Sequence, residues 1–288
     1  MPDPLPSQSV DNLVSRLAGF ILDMDGTLYL GDTLLPGAAE LLALLEQRGL
    51  PYLYLTNNSA RDAAAYARKL ARLGLPASPA RILTSGAATI SWLRAHDPDA
   101  RLLVLGTPTL RAEFAAAGFA TIPPVDERPD AEDELPAPDW VILGFDQTLT
   151  YARLAQACTY IRRGTPWLAT HPDINCPVPG GFIPDAGAIA AAIVAATGSS
   201  PTVVIGKPNP FIYREALMRL GTPAQATAMV GDRLYTDVAG ARDAGLVSIL
   251  VLSGETTRAD LERAAIAPDL VFPSVLELAA CLARRTAV

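Results

Sequence analysis

Two acidic residues, Asp23 and Asp25, stand one residue apart directly after a short apolar run, residues 20–22. The apolar run has the character of a buried strand, and Gly26 lets the backbone turn sharply after the acids. In a parallel sheet, ligands bind just beyond the carboxyl ends of the strands. Carboxylates this close repel each other unless a cation or a phosphate partner shares the site. We therefore expect Asp23 to be a nucleophile and metal ligand and Asp25 its acid–base partner. This pair alone leaves a loop of solvated acids as an alternative.

The second predicted strand is followed by three polar residues, Thr56, Asn57 and Asn58, and then by a helix. A hydroxyl, two amides and the N-terminus of the helix can all face an anion there. We expect these residues to bind a phosphate group. Asn58 has a second interpretation, as a cap of the helix, and the sequence does not separate the two.

Two later strand ends carry charged residues. Lys207 follows an apolar run, where its ammonium can hold a phosphate oxygen and offset the charge of Asp23. Asp232 and Asp237 follow the next predicted strand, and hard oxygen ligands of this kind suit Mg²⁺. Asp237 has other interpretations: it can orient Lys207 or a metal-bound water, or simply start a helix.

Length and composition favour a globular protein with a sizeable core. The chain has 288 residues, enough for about two domains, and half of the residues are hydrophobic while 18% are charged. A net charge of −7 argues against a nucleic-acid partner or an anionic membrane surface. The three widely spaced cysteines favour a reduced compartment. With no signal peptide and no membrane-length apolar run in the sequence, we expect a cytoplasmic protein.

Predicted strands and helices alternate along the chain, which indicates an α/β fold with parallel sheets and right-handed crossovers. The proline-rich residues 1–12 are expected to form an irregular leader, and residues 28–37 and 123–139 are expected to be loops. Residues 171–184 are expected to form an ordered but irregular connection. Ser85 is expected to cap the helix that ends at His96.

Four motifs in chain order carry a family resemblance: Asp-Met-Asp-Gly-Thr, Thr-Asn-Asn, Gly-Lys-Pro and Gly-Asp-Arg-Leu-Tyr-Thr-Asp. They resemble the motifs of haloacid dehalogenase-superfamily phosphatases, and most closely the NagD-like branch, subfamily IIA, which includes p-nitrophenyl phosphatases. The resemblance covers nearly the whole chain. It implies a Rossmann-like core formed by residues 1–87 and 183–288. It also implies a large inserted α/β cap at residues 88–182 that determines substrate specificity.

The resemblance also implies roles for the residues in these motifs. Asp23 would be the phosphorylated nucleophile and Asp25 the acid–base residue, while Asp232 would ligate Mg²⁺ together with Asp23 and the carbonyl of Asp25.

Thr56, Asn57 and Lys207 would bind phosphate. The expected function is Mg²⁺-dependent hydrolysis of a small phosphorylated metabolite through an aspartyl-phosphate intermediate. A homodimer is left open, and no nucleic-acid or membrane partner is expected.

One alternative is a phospho-ligand-binding or regulatory protein of the same fold without significant turnover. A binding module that has lost catalysis would be expected to lose Asp23 or Asp25, and both are present. A phosphorylated-aspartate receiver would be about half this length. The sequence does not choose among phosphoglycolate, pyridoxal phosphate, nucleotides and sugar phosphates. It also leaves His171 and Asp173 with two interpretations, substrate contact or a turn.

Overall fold

The computed structural model describes residues 7–127, 137–178 and 180–284. Its strands, in chain order, are β1 (Gly19–Leu22), β2 (Tyr29–Leu30), β3 (Thr33–Leu34), β4 (Tyr52–Thr56), β5 (Ile82–Thr84), β6 (Arg101–Leu105), β7 (Ala120–Thr121), β8 (Trp140–Leu143), β9 (Trp167–Ala169), β10 (Asn175–Val178), β11 (Gly181–Pro184), β12 (Val203–Val204), β13 (Thr227–Gly231), β14 (Val247–Val251) and β15 (Leu270–Phe272). Its helices are α1 (Ser7–Ser15), α2 (Ala38–Gln47), α3 (Ala63–Arg72), α4 (Ser85–His96), α5 (Pro108–Ala116), α6 (Tyr151–Arg162), α7 (Ala186–Thr197), α8 (Pro210–Leu220), α9 (Ala239–Asp243), α10 (Arg258–Arg263) and α11 (Val275–Ala283). None of these described helices is long and apolar enough to cross a membrane.

The chain forms two units, and the first contains a six-stranded sheet. This unit comprises the described residues within 1–55, 66–83 and 207–288, and its strand order is β15-β14-β13-β1-β4-β5. β1 lies between β13 and β4 and pairs in parallel with both. All four of its residues are buried, as expected for a strand covered on both faces. Residues that follow β1 and β13 therefore emerge at the same edge of the sheet.

The second unit contains a five-stranded sheet with the order β12-β9-β8-β6-β7, formed within residues 56–65 and 84–206. The strands pair in parallel throughout. Leu103, Val141 and Trp167 from this sheet pack with Ile161 of α6 and Ile193 of α7 in one apolar cluster. Two parallel sheets with helices confirm the α/β fold that the alternating pattern predicts.

The second unit covers the predicted cap, residues 88–182, and extends beyond it on both sides. It continues to Gly206 because Ile189 and Ile193 of α7 belong to the apolar cluster of this unit and because β12 pairs with β9. It also includes residues 56–65. The division into a catalytic core and a specificity cap stays a prediction.

Two short antiparallel hairpins lie in segments predicted as a loop and as an ordered but irregular connection. β2 pairs with β3 inside residues 28–37, and β10 pairs with β11 inside residues 171–184. Each strand is only two to four residues long, and the second hairpin contains proline. Proline is tolerated in edge strands, and a two-stranded ribbon consists of edges only. The expectation of a loop was wrong where β2 and β3 form, and the expectation of an irregular connection was wrong where β10 and β11 form.

Two local expectations also need correction. Residues 7–12 belong to α1 and not to an irregular leader, while residues 1–6 lie outside the described part of the chain. Thr84, not Ser85, caps α4: its hydroxyl accepts a hydrogen bond from the Ala87 N–H at 3.0 Å. The predicted loop at 123–139 contains a 3₁₀ turn at Val125–Glu127, and its residues 128–136 lie outside the described part.

Candidate active site

Asp23, directly after β1, is held by two side chains. Lys207 Nζ donates to Asp23 Oδ1 at 2.5 Å, and Thr27 Oγ1 donates to Asp23 Oδ2 at 3.3 Å. The same ammonium donates to Asp237 Oδ1 at 2.6 Å. Asp23 and Lys207 are both buried, with 8% and 3% of their surface exposed. Lys207 is therefore fixed between two carboxylates, and the hydrogen bonds from Lys207 and Thr27 fix the orientation of the Asp23 carboxylate.

Asp232 and Asp237 both come from the segment after β13. Asp237 lies in a π-helical turn, Leu234–Val238, and its Oδ2 accepts from the Arg233 N–H at 3.1 Å. Single π turns inside helices are common at functional sites. Asp23, Asp232 and Asp237 each contribute a carboxylate oxygen to a group whose members lie within 4.8 Å of one another. The structure thus brings together the charged residues that the sequence placed at three separate strand ends.

The charges in this cluster are unbalanced. Burial raises the pKa of Asp23 well above its usual range; Lys207 opposes this shift, and the charges of Asp237 and Asp232 add to it. Burial and the charge of Asp237 raise the pKa of Asp232 to about 7. Burial alone would lower the pKa of Lys207, but the carboxylates of Asp23 and Asp237 outweigh it and raise that pKa above its usual value. Three carboxylates around one ammonium leave an excess of two negative charges.

The donor set of this cluster fits Mg²⁺. Asp232 Oδ2 accepts from the Glu255 N–H at 2.6 Å, whereas the buried Asp232 Oδ1 has no hydrogen-bond partner among the described residues. Burying a carboxylate oxygen without a hydrogen-bond partner costs free energy, and a bound cation would offset that cost. Mg²⁺ takes oxygen ligands, often one or two carboxylates, and one divalent ion would cancel the excess charge.

Asp25 has a different environment from Asp23, because it is exposed. Gly26 has φ +83°, which allows the chain to turn, and the Met24 carbonyl accepts from the Leu28 N–H at 2.8 Å within this turn. Because Asp25 is exposed, its carboxyl group can exchange protons with water, which the buried Asp23 does less readily.

The predicted phosphate ligands Thr56, Asn57 and Asn58 belong to the second unit. Thr56 Oγ1 accepts from the Asn58 N–H at 3.1 Å, and Asn58 Oδ1 accepts from the Ala60 N–H at 2.9 Å. Asn57 Nδ2 donates to Asp173 Oδ1 at 3.1 Å. The Asn58 side chain thus makes a local turn contact with the backbone two residues on. It does not cap α3, which begins at Ala63: Asp62 Oδ1 accepts there from the Ala65 N–H at 2.7 Å.

His171 and Asp173 are buried in the second unit. His171 has no exposed surface; its Nε2 pairs with Asp185 Oδ1 at 2.8 Å and its Nδ1 with Thr170 Oγ1 at 2.9 Å. Asp185 Oδ1 also accepts from the Ala186 N–H at the start of α7, at 2.6 Å. These contacts favour a structural role for His171 over substrate contact.

Sequence reasoning missed three supporting residues. Thr27 stands in the first motif, but nothing in the motif assigns it to Asp23. Asp185 could have been found as the cap before an Ala/Ile-rich helix. Glu255 acts on Asp232 through its backbone N–H, and no side-chain pattern signals such a contact.

Two family models match the chain. A model of haloacid dehalogenase-like hydrolases matches residues 20–120, and a second model of HAD-hydrolase-like proteins matches residues 204–278. Together they contain Asp23, Asp25, Lys207, Asp232 and Asp237.

Individual relatives match over nearly their whole length. The crystal structure of a 4-nitrophenylphosphatase from Thermotoga maritima has 46% identity and a TM-score of 0.86, and the match covers 93% of this chain and 98% of that one. NagD from E. coli K-12 has 32% identity and a TM-score of 0.80 over 91% of this chain and 98% of that one. An acid sugar phosphatase of Staphylococcus aureus (strain MRSA252) is 33% identical over 264 residues, 92% of this chain and 97% of the relative. With these matches, the chain belongs to the haloacid dehalogenase-like hydrolases and is a phosphatase of the NagD and p-nitrophenyl phosphatase branch.

Proposed function

We propose that this phosphatase hydrolyses a small phosphorylated metabolite through a phosphorylated Asp23. The observation that carries the proposal is the fixed Asp23 carboxylate, bonded by Lys207 at 2.5 Å and by Thr27 at 3.3 Å. A carboxylate nucleophile divides a difficult hydrolysis into two easier displacements.

In the first displacement, a carboxylate oxygen of Asp23 attacks the phosphorus. A bond forms between that oxygen and phosphorus, and the bond from phosphorus to the leaving oxygen breaks. Asp25 gives its proton to the leaving oxygen, so the leaving group departs as a neutral alcohol. The ammonium of Lys207 offsets the negative charge of the transferring group.

In the second displacement, water attacks the phosphorus of the aspartyl phosphate. Asp25, now a carboxylate, accepts a proton from the water, and the bond between phosphorus and Asp23 breaks. Inorganic phosphate leaves, and both aspartates return to their starting states. The exposure of Asp25 suits a residue that must lose and regain a proton in each cycle.

The cofactor that we propose is Mg²⁺, held by the carboxylates of Asp23 and Asp232 and by the backbone carbonyl of Asp25. When bound, Mg²⁺ would supply positive charge that stabilises the transferring phosphoryl group. Asp237 would orient Lys207, a role supported by their 2.6 Å hydrogen bond.

For the phosphate itself we propose Thr56 and Asn57 in addition to Lys207. The Thr56 hydroxyl accepts from the Asn58 N–H and keeps its own hydrogen to donate to an anion. Asn57 is fixed by Asp173. We assign Asn58 a local turn role, which its bond to the Ala60 N–H supports.

The substrate class that we propose is a sugar phosphate, because the curated relatives of this chain are named acid sugar phosphatases. The test is a panel of sugar phosphates, phosphoglycolate, pyridoxal phosphate, nucleotides and p-nitrophenyl phosphate, with released phosphate measured in the presence of Mg²⁺. We expect turnover with the sugar phosphates to exceed turnover with the other metabolites.

Two variants accompany the panel. Asp23→Asn should lose at least about a thousandfold in kcat, because the attacking charge is gone. Asp32→Asn removes an exposed carboxylate nine residues away and should leave kcat unchanged. If wild type binds phosphate esters but releases no phosphate, the alternative of a phospho-ligand-binding protein without turnover replaces the proposal.

A further inference from the structure

A short segment after β14 closes over the Asp232 carboxylate. We call residues 253–256 the strap. The Glu255 N–H donates to Asp232 Oδ2 at 2.6 Å, and the Thr256 N–H donates to the Asp232 carbonyl at 3.2 Å. Ser253 Oγ donates to the carbonyl of Gly26 at 2.8 Å. The strap therefore bonds both segments that carry the acids, the one after β13 and the one after β1.

An ion pair anchors the outer side of the strap. Arg233 Nε lies 2.9 Å from Glu255 Oε2, and the Arg233 side chain is mostly buried. Because Arg233 follows Asp232 directly in the chain, this pair keeps the Glu255 N–H beside the Asp232 carboxylate. The hydrogen bond from the Glu255 N–H to the Asp232 carboxylate has a charged acceptor, and such charge-assisted hydrogen bonds are stronger than those between neutral groups.

The strap makes the two oxygens of Asp232 unequal. Oδ2 is occupied by the Glu255 N–H, and the buried Oδ1 has no hydrogen-bond partner among the described residues. We propose that the strap is a positioning element for a divalent cation: it occupies Oδ2 and presents Oδ1 as the single oxygen that Asp232 offers. The cation is the Mg²⁺ of the proposed function, so the inference rests on that function. Removing a hydrogen-bond partner of a metal-binding carboxylate typically weakens metal affinity by about 10- to 100-fold.

Gly254 offers a selective way to disturb the strap. A Cβ built on Gly254 would collide with the Asp232 carboxylate, and its nearest neighbours are all atoms of Asp232. The backbone of Gly254 does not lie in the left-handed region, so alanine can adopt its conformation. The clash of Gly254→Ala is thus with Asp232 itself, and the carboxylate must shift.

The experiment measures Mg²⁺ binding to full-length, metal-free protein by isothermal titration calorimetry without substrate, together with the Mg²⁺-dependent rise in Tm. For Gly254→Ala we expect the Kd for Mg²⁺ to increase at least about tenfold and the rise in Tm to shrink. Glu255→Ala, which removes the ion pair with Arg233, should weaken binding in the same direction but less. The control is Ser274→Ala, which removes the cap of α11 in the same unit: it should lower Tm and leave the Kd unchanged.

The inference is overturned if folded Gly254→Ala binds Mg²⁺ as tightly as wild type does. If Gly254→Ala does not fold, a Glu255→Ala protein with the wild-type Kd overturns it equally. Both results leave the proposed function intact when wild type binds Mg²⁺ and releases phosphate. A wild-type protein that does neither would overturn the proposed function, and this inference with it.

Discussion

Replacing Lys207 with methionine tests the charge balance of the site. Methionine keeps an apolar stem of similar length and removes the ammonium. That ammonium is buried and bonds Asp23 Oδ1 at 2.5 Å and Asp237 Oδ1 at 2.6 Å. The variant therefore leaves two buried carboxylates without the cation that bonds both of them.

The size of the effect follows from this geometry. Removing one partner of a buried ion pair costs about 3–5 kcal/mol, because the remaining charge is uncompensated. Lys207 serves two carboxylates, so we expect Lys207→Met to lie toward the upper end of that range. Total stabilities are about 5–15 kcal/mol, so the loss will be large. The assay is urea unfolding at about pH 8 in chelator, where no metal ion replaces the ammonium.

Two further variants make the test specific. Arg242→Met removes an exposed cation of α9 in the same unit and should change stability by no more than about 0.5 kcal/mol. Adding Asp23→Asn to Lys207→Met removes one uncompensated charge and should restore at least about 1 kcal/mol. A loss below about 1 kcal/mol for Lys207→Met, or no recovery in the double variant, would refute the reasoning from charge balance.

Three other predictions concern single side chains. Asp25→Asn should lower kcat by about 10²- to 10⁴-fold with little change in urea stability, and near-normal kcat would remove Asp25 from proton transfer. Burial and the charge of Asp62 raise the pKa of Glu113 from 4.5 to about 7, so the stability that this group contributes is present below about pH 4.5 and is lost as the pH rises through 7. Glu113→Gln should then be about 1–3 kcal/mol more stable than wild type at about pH 8 and equal to it at about pH 4, and equal urea midpoints at both would contradict this. Asp185→Ala should cost about 2–4 kcal/mol in urea unfolding, since it removes the cap of α7 and the partner of buried His171, and a loss under about 1 kcal/mol would show that neither contact matters.

The positions of the charged residues could be predicted because strand ends are readable in the sequence. Each acid or lysine follows an apolar run, and parallel strands expose their carboxyl ends at one edge of a sheet. Because β1 and β13 lie in one sheet, the grouping of Asp23, Asp232 and Asp237 follows from their strand ends. Lys207 follows β12, which belongs to the five-stranded sheet, so its bonds to Asp23 and Asp237 do not follow from this rule. The catalytic and metal-binding roles of these residues stay predictions.

Other contacts could not be predicted because they join distant segments through groups that no pattern encodes. Asn57 meets Asp173 across more than a hundred residues, and Asp232 meets the backbone N–H of Glu255. The hairpin of β10 and β11 was also missed, since a short ribbon that contains proline lacks the alternating pattern of longer strands.

The glycines around the carboxylates show how the backbone itself shapes this site. A Cβ on Gly26 or Gly254 would collide with Asp232, and a Cβ on Gly231 would collide with Asp237. The main chain therefore packs directly against the acids, at a distance that a residue with a side chain could not reach without moving them. This packing helps to bury Asp232, and burial together with the charge of Asp237 raises the pKa of Asp232 to about 7. We therefore expect the affinity of the cluster for the proposed Mg²⁺ to depend on the close approach of the backbone as well as on the number of its carboxylates.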